Sequence, residues 1–323
     1  MKRTIWVLLD NRMGSVGQAK GIMQELDPQQ FNIVEKKLEY SRWAALPNFL
    51  RRSTLLGIIN KEVLSDGVPD LIISTSRRTA PAALYLKRKH PKIILTQLMF
   101  AGNYGAEQFA RIFLPQHDAG KKPRDNFYFT VGSPHRVNQS ALSAAEAKWR
   151  DKFAHLPKPL TAVIVGGSIK GKPFTTENAT NFALAVKALK ERIGGSLLIT
   201  DSRRTGVEQE KIITDILKDI PAHTFLWGSK DENPIMGYYA CADNFAVSGD
   251  SVSMCCEACG TGKPVFVFEG KDWLTPKHHR FVKSLYDGGY AAPLANGCEK
   301  FEGGKILYPS AEIAAEITAL LNK

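Results

Sequence analysis

Residues 247–268, VSGDSVSMCCEACGTGKPVFVF, hold the densest set of groups suited to handling an anion. An apolar run ends at Ser248, Gly249 and Asp250 form a tight turn, and Ser251 or Ser253 opens a helix that Gly260 and Gly262 close before Pro264. The open N–H groups and positive dipole end of such a helix attract phosphate, and two serine hydroxyls add donors. Glu257 lies four residues after Ser253 on the same helix face, where a carboxylate can accept from two sugar hydroxyls. Phosphate at the helix start and ribose at Glu257 describe a nucleoside diphosphate. A buried crossover helix with a capping serine has the same spacing.

Two shorter patterns carry groups of the same kind. In VIVGGSIKGKPF, residues 163–174, an apolar run precedes Gly166, Gly167, Ser168, Lys170, Gly171 and Lys172. Glycines let backbone N–H groups approach a phosphate, and the lysines add charge. Pro173 stands where a Walker loop has Ser or Thr, and no clean G-x-G-x-x-G follows the strand, so a dinucleotide is not expected. The sequence SRRT occurs twice, in STSRRTA (74–80) and TDSRRTG (200–206), each time after an apolar run, DLIIS and GSLLIT. Loops at the carboxyl ends of parallel strands face the ligand crevice. Two domains facing one another would bring both copies to one cleft; the plainer alternative is a chance repeat of capping serines and surface arginines.

The elements that must position these groups alternate. TIWVLLD reads as a buried strand, NRMGSVG as a glycine-bearing turn, and QAKGIMQEL as a helix with apolar residues three and four apart. The pattern recurs at PDLIISTSRRTAPAALYLKRK and KIILTQLMF, and begins again at TAVIVGGSIKGKPFT after a proline-punctuated linker near 156–159. Such alternation implies parallel sheets flanked by helices. The expected domains are 1–156 and 157–323, with a closing helix in SAEIAAEITALL, N-capped by Ser310, packing back on the first.

A chain of 323 residues with 44% hydrophobic content supports two cores. No apolar run approaches the ~20 residues of a membrane helix, and MKRTIWVLLDNR lacks the length and cleavage site of a signal peptide, which points to the cytoplasm. Five cysteines, Cys241, Cys255, Cys256, Cys259 and Cys298, are odd in number and argue against a disulfide framework. CCEAC has no second ligand cluster nearby, so its cysteines read as small helix-facing residues and no metal is expected. A net charge of +11 calls for an anionic partner. No nucleic-acid module is present, which leaves phosphorylated metabolites or an anionic membrane face. Segment 40–58, YSRWAALPNFLRRSTLLGI, mixes Trp43, Leu46, Phe49, Leu50, Leu55 and Leu56 with Arg42, Arg51 and Arg52. It suits either contact with anionic lipid or a core helix broken at Pro47.

Taken in order, Asp10, Gly14 and Gln18, then SRRTA (76–80), PQHD (115–118), GGSIKG (166–171), the second SRRT, and DSVSMCCEA with TGKP resemble the mitochondrial fission "elongated mitochondria" family over nearly the whole chain. The series G-D-S-V-S-M, E-A, G-T-G-K-P-V is also similar to the donor-nucleotide loop of GT-B glycosyltransferases. The resemblance implies an α/β chain of two Rossmann-like domains facing each other across a cleft, with a nucleotide sugar on the C-terminal one. Sugar transfer to a cell-envelope or lipid-linked acceptor follows as the expected activity, with nucleotide-sugar epimerisation or a non-catalytic adaptor in membrane dynamics as alternatives. On this reading Arg203 and Arg204 join Gly166, Gly167, Ser168, Lys170, Asp250, Ser251 and Ser253 around the donor diphosphate, and Glu257 takes the ribose. The loop holding Trp227 and Asn233–Pro234 takes the base, while Tyr238 and Tyr239 read as helix packing. Gly14, Gln18, Ser76, Arg77 and Arg78 face the acceptor. His117 beside Asp118 offers a general base, provided a turn brings neighbours that alternate along a strand to one side; Asp10 and His135 stand in reserve. Several inverting GT-B enzymes place a histidine after the first glycine loop, where this chain has Ser15 and Val16. The nucleotide sugar is expected as substrate without a further cofactor, and the protein as peripheral on the inner membrane face.

Overall fold

The computed structural model describes residues 2–118 and 123–322, which form two compact units, Met1–Arg136 with Pro309–Lys323, and Val137–Tyr308. The first unit contains β1 (Arg3–Leu9), α1 (Met13–Met23), β2 (Phe31–Lys37), α2 (Asn48–Arg51), β3 (Leu71–Ser74), α3 (Ala80–Lys89), β4 (Ile94–Leu98), β5 (Arg111–Pro115) and β6 (Phe127–Thr130). Its strands pair in parallel in the order β2-β1-β3-β4-β5-β6. The inner strands β1 and β3 are covered on both faces and read as apolar runs, while the edge strand β2, FNIVEKK, is polar and partly exposed. Alternation along β1 sends Ile5, Val7 and Leu9 to a cluster with Ile22 of α1, and Trp6 and Leu8 to one with Ala83 and Leu86 of α3. Leu8 lies opposite Ser74, so β1 and β3 end side by side.

The glycine turn expected at 11–17 is shorter than that. Helix α1 already begins at Met13, leaving Gly14 and Gly17 helical, and a Cβ at either would meet nothing within 4 Å. The turn is confined to residues 10–12, where the Arg12 N–H donates to Asp10 Oδ1 at 3.0 Å.

The second unit contains α4 (Gln139–Phe153), β7 (Leu160–Ile164), α5 (Thr176–Ile193), β8 (Ser196–Thr200), α6 (Val207–Leu217), β9 (Ala222–Phe225), α7 (Ile235–Cys241), β10 (Asn244–Ser248), α8 (Val252–Cys259), β11 (Val265–Phe268), α9 (Pro276–Asp287) and β12 (Ala292–Pro293). The sheet is parallel, in the order β12-β11-β10-β7-β8-β9. Read from β9, this is the doubly wound order in which the winding reverses between two adjacent strands, here β7 and β10. In the first sheet the reversal falls between β1 and β3.

The unit boundary lies at 136/137 rather than the expected 156/157, because α4 is packed into the second unit. A Cβ at Gly237 of α7 would come within 2.4 Å of the Trp149 ring, and Phe153 stacks on Trp149 at 5.9 Å and meets Tyr238 at 5.6 Å. The chain ends in α10 (Pro309–Leu321), whose Ile313, Ala314 and Ile317 join the α1 side of the first core. Ser310 is inside this helix, and its hydroxyl donates to the His135 carbonyl at 2.7 Å and accepts the His135 N–H at 3.0 Å. No helix of the described residues is long and apolar enough to cross a membrane.

Candidate functional site

Three loops of the second unit meet at Asp250, beside the β7/β10 reversal. The carboxylate is fully buried; Oδ2 accepts from the Gly167 N–H at 2.9 Å and from Arg204 Nη1 at 2.7 Å, and Oδ1 from the Ser248 hydroxyl at 2.7 Å. Ser248 Oγ in turn accepts the Gly166 N–H at 2.6 Å. Burial raises the Asp250 pKa, opposed by the Arg204 guanidinium and these hydrogen bonds. A Cβ at Gly166 would lie 2.2 Å from Asp250 Oδ1, and one at Gly167, where φ is +149°, would lie 2.1 Å from the Arg204 backbone. Both glycines therefore serve loop-on-loop packing, and Asp250 holds the site together from within the protein.

Around this hub lie the groups open to a ligand. Ser251 caps α8 without a side-chain hydrogen bond to the helix, and Ser253, Lys170 and Arg203 are exposed. Arg204 is less free, since Nη1 also donates to the Ser168 carbonyl at 3.1 Å. Half-buried Glu257 accepts from the Tyr239 hydroxyl at 2.9 Å, and burial followed by Glu257 pushes that phenol's pKa well up. Tyr238 and Tyr239 are both buried, whereas Trp227 is 63% exposed, with its backbone N–H donating to Asp201 Oδ1 at 2.6 Å. Cys255, Cys256 and Cys259 are buried, and burial raises the Cys255 and Cys259 thiols.

Two features were missed from sequence. His278, in the first turn of α9, hydrogen-bonds the Asp250 backbone and places Nδ1 2.7 Å from Thr275 Oγ1; burial, then Lys277 and Arg204, lower its pKa. The sequence signal was TPKHHR, a Thr-Pro helix start followed by cations and histidines. The second feature is a carboxyl pair. Asp201, just after β8, hydrogen-bonds Glu210, and burial raises both pKa values.

In the first unit, Asp10 and Asn11 follow β1, and Ser76, Arg77 and Arg78 follow β3, so the topology brings them together at the reversal; Arg78 Nη1 donates to Asn11 Oδ1 at 3.2 Å. Tyr40 joins them, with Arg78 5.6 Å from its ring; burial and then Asp10 push its pKa above the usual range. Asp10 Oδ2 and Tyr40 Oη are buried without a hydrogen-bond partner among the described residues. Gly14 is exposed, and Gln18 lines a small crevice with Met99 and Thr130. A 3-10 turn does follow β5 at Gln116–Asp118, with His117 buried and Asp118 half-buried. That turn lies three strand spacings from the end of β1, about 14 Å at ~4.8 Å each, so His117 and Asp10 do not share one proton. His135 is buried beneath α10.

The two SRRT copies form one turn. Ser76 N–H donates to Thr79 Oγ1 at 3.0 Å and Arg78 N–H to Ser76 Oγ at 3.1 Å; the corresponding bonds of Ser202 and Arg204 measure 3.1 and 3.2 Å. The hydroxyls thus brace the loop and hold the second arginine toward the neighbouring strand end.

A sequence profile described as "Mitochondrial fission ELM1" matches residues 13–321. The chain belongs to the mitochondrial fission ELM1 family. Among relatives, the uncharacterized protein RP120 of Rickettsia prowazekii is 31% identical over 325 residues, covering 88% of each chain. The mitochondrial fission protein ELM1 of Arabidopsis thaliana is 30% identical over 260 residues, covering 72% of this chain and 59% of the plant protein. Among solved structures, a UDP-GlcNAc 2-epimerase of Neisseria meningitidis bound to UDP-GlcNAc matches with a TM-score of 0.53 at 15% identity, over 99% of this chain and 100% of that one. A glycosyltransferase of Rickettsia africae matches with a TM-score of 0.52 at 12% identity, over 100% and 99%. At these identities the likeness is one of fold, and it gives this ELM1-family chain the α/β, GT-B-like fold of glycosyltransferases and epimerases.

Proposed function

We propose that the second unit binds a nucleotide sugar at the β7/β10 reversal and that the protein is a glycosyltransferase acting on a cell-envelope or lipid-linked acceptor. The observation that carries this reading is the start of α8: a helix N-terminus at a sheet reversal, with the Ser251 side chain uncommitted to capping and Ser253 exposed, next to Asp250, to which the loops of exposed Lys170 and Arg203 are tied through Gly167 and Arg204. These groups would hold the diphosphate and stabilise it as it leaves, while Asp250 fixes their loops. Glu257, anchored by Tyr239, would accept from the ribose hydroxyls, and the Trp227 loop would take the base. Burial disfavours the His278 cation, and its bonds to the Asp250 backbone and Thr275 would tie the start of α9 to the Asp250 turn. On the acceptor side, Asp10 is a candidate base beside His117 and Asp118: it follows β1 at the β1/β3 reversal, with Ser76 and Arg78 after the neighbouring strand. The UDP-GlcNAc held by the Neisseria epimerase is a ligand of the class proposed, and epimerisation is the alternative chemistry for the same site. The name of the Arabidopsis relative favours a second reading, an adaptor in membrane fission that keeps the fold without transfer.

Calorimetric titration with a panel of nucleoside diphosphates and nucleotide sugars tests the first reading. Saturable binding, lost or weakened at least ~10-fold in Glu257→Ala by removal of a charged hydrogen-bond acceptor, is the expected result. No binding to any member would favour the adaptor.

A further inference from the structure

We propose that residues 42–56 of the first unit, with Arg77, form a docking surface for an anionic phospholipid bilayer. Trp43 (50% exposed), Phe49 (62%), Leu50 (55%) and Leu56 (42%) all stand in solvent within this segment. Apolar exposure concentrated in this way marks an interaction surface.

The segment is braced from beneath. Arg51 is fully buried, so it is not one of the lipid-facing cations that the sequence suggested; Nε donates to the Leu56 carbonyl at 3.1 Å and Nη1 to the Arg78 carbonyl at 3.2 Å. Arg77 donates to the carbonyls of Leu46 at 2.9 Å and Ala45 at 3.4 Å. The Asn48 amide bridges the carbonyls of Arg77 and Ala101 at 2.9 and 3.0 Å. Pinned in this way, the segment leaves these apolar side chains in solvent while the carbonyls of Ala45, Leu46, Arg51 and Leu56 are already engaged. That arrangement suits lipid, where an unpaired backbone group is costly, better than a protein partner, whose interface needs open hydrogen-bonding groups.

Charge selects the kind of lipid. No Asp or Glu occurs between Glu39 and Glu62, and the segment carries Arg42 and Arg52, both exposed, beside exposed Arg77. The ion pairs of the described residues use none of these three. Arg42 lies 5.5 Å from the Trp43 ring, a pairing suited to the headgroup level, where the indole meets acyl chains and the guanidinium meets phosphate. A groove of about 470 Å³ between Phe49 and Tyr104, with Arg77 at its edge, continues the surface. The inference holds whether or not the second unit binds a nucleotide.

Co-sedimentation of the full chain with phosphatidylcholine vesicles, with and without phosphatidylglycerol, tests it. Binding is expected only with phosphatidylglycerol, and it should weaken as salt screens the charges. Arg42→Gln and Arg52→Gln should each weaken binding about 5-fold, the value of one basic residue at an anionic surface. Phe49→Glu with Leu50→Glu should abolish it. These positions are exposed, so an unchanged near-ultraviolet circular dichroism spectrum is expected; if the double variant misfolds, the arginine variants decide alone. No binding to the anionic vesicles, equal binding to neutral ones, or retained binding by well-folded variants would overturn the proposal, and a protein partner captured on this face without vesicle binding would do the same.

Discussion

Ser76–Thr79 and Ser202–Thr205 fold into the same hydroxyl-braced turn, yet their second arginines meet different company. Arg204 reaches the fully buried carboxylate of Asp250, which also gathers Gly167 and Ser248. Half-buried Arg78 reaches the neutral side chain of Asn11, and its carbonyl accepts from the fully buried Arg51. One sequence motif therefore builds one loop shape, and the residue beyond the neighbouring strand decides its electrostatics. In the second unit the arginine's charge is committed to holding the site together, leaving the α8 start, Arg203 and Lys170 for a ligand. In the first unit Arg77 and Arg78 retain their charge, with Asp10 as the nearby carboxylate that perturbs Tyr40.

The largest break in this comparison comes from removing the hub. Asp250→Ala strands the Gly167 N–H and the Ser248 hydroxyl and leaves Arg204 without its partner, an expected loss of about 3 kcal/mol in urea unfolding. Gly167→Ala should cost a similar amount, about 2–4 kcal/mol, because its Cβ collides with the Arg204 backbone at a positive φ. A loss below 1 kcal/mol for either variant would mean that the loops are not tied together through this carboxylate.

The arginines themselves should separate next. Arg204→Ala leaves a buried carboxylate unpaired and should cost about 2 kcal/mol, discounted because the guanidinium is partly exposed. Arg78→Ala loses one bond to a neutral amide and a ring contact, worth about 0.5–1 kcal/mol. Arg51→Met should fall within about 1 kcal/mol of the parent, because losing two carbonyl bonds is offset by no longer burying a charge that lacks a carboxylate partner. Equal losses for Arg78→Ala and Arg204→Ala would remove the contrast between the two loops.

The alternation of apolar runs and helices, and hence two parallel sheets, was legible because strands buried on both faces are nearly continuous apolar runs, as in Ile5–Leu9 of β1, Ala162–Ile164 of β7 and Phe245–Val247 of β10. The α8 start was legible from Ser251 and the closing glycines, since helix ends are set by local chemistry. Other features depend on contacts distant in sequence. Asp250 reads as a turn residue until Gly167 and Arg204 arrive from other loops, and α4 reads as a linker helix until Trp149 meets Gly237. His278 lies 28 residues beyond Asp250 (278 − 250); TPKHHR marks a helix start rich in cations, but only the tertiary fold returns that start to the site. Arg51 and Arg52 are adjacent and identical in type, yet one is buried and the other exposed, a distinction that composition does not carry.

A small effect, one that only a pH series reads, concerns the carboxyl pair beside the second SRRT. Asp201 and Glu210 start from reference values of 3.8 and 4.5, and burial raises both in the folded protein. A raised acid pKa means that the folded state holds its proton more tightly than the unfolded chain. The pair's contribution is therefore full below about pH 4 and is lost as pH rises through the folded values. Glu210→Gln keeps an N–H donor for Asp201 without a titrating proton or a second negative charge. Urea unfolding from pH 4 to 7 should show the parent losing stability relative to the variant by about 0.5–1 kcal/mol, a modest amount because Glu210 is partly solvated. Parallel curves would mean that the two carboxyls titrate independently, leaving Asp201 free to stay ionised beneath the Trp227 loop.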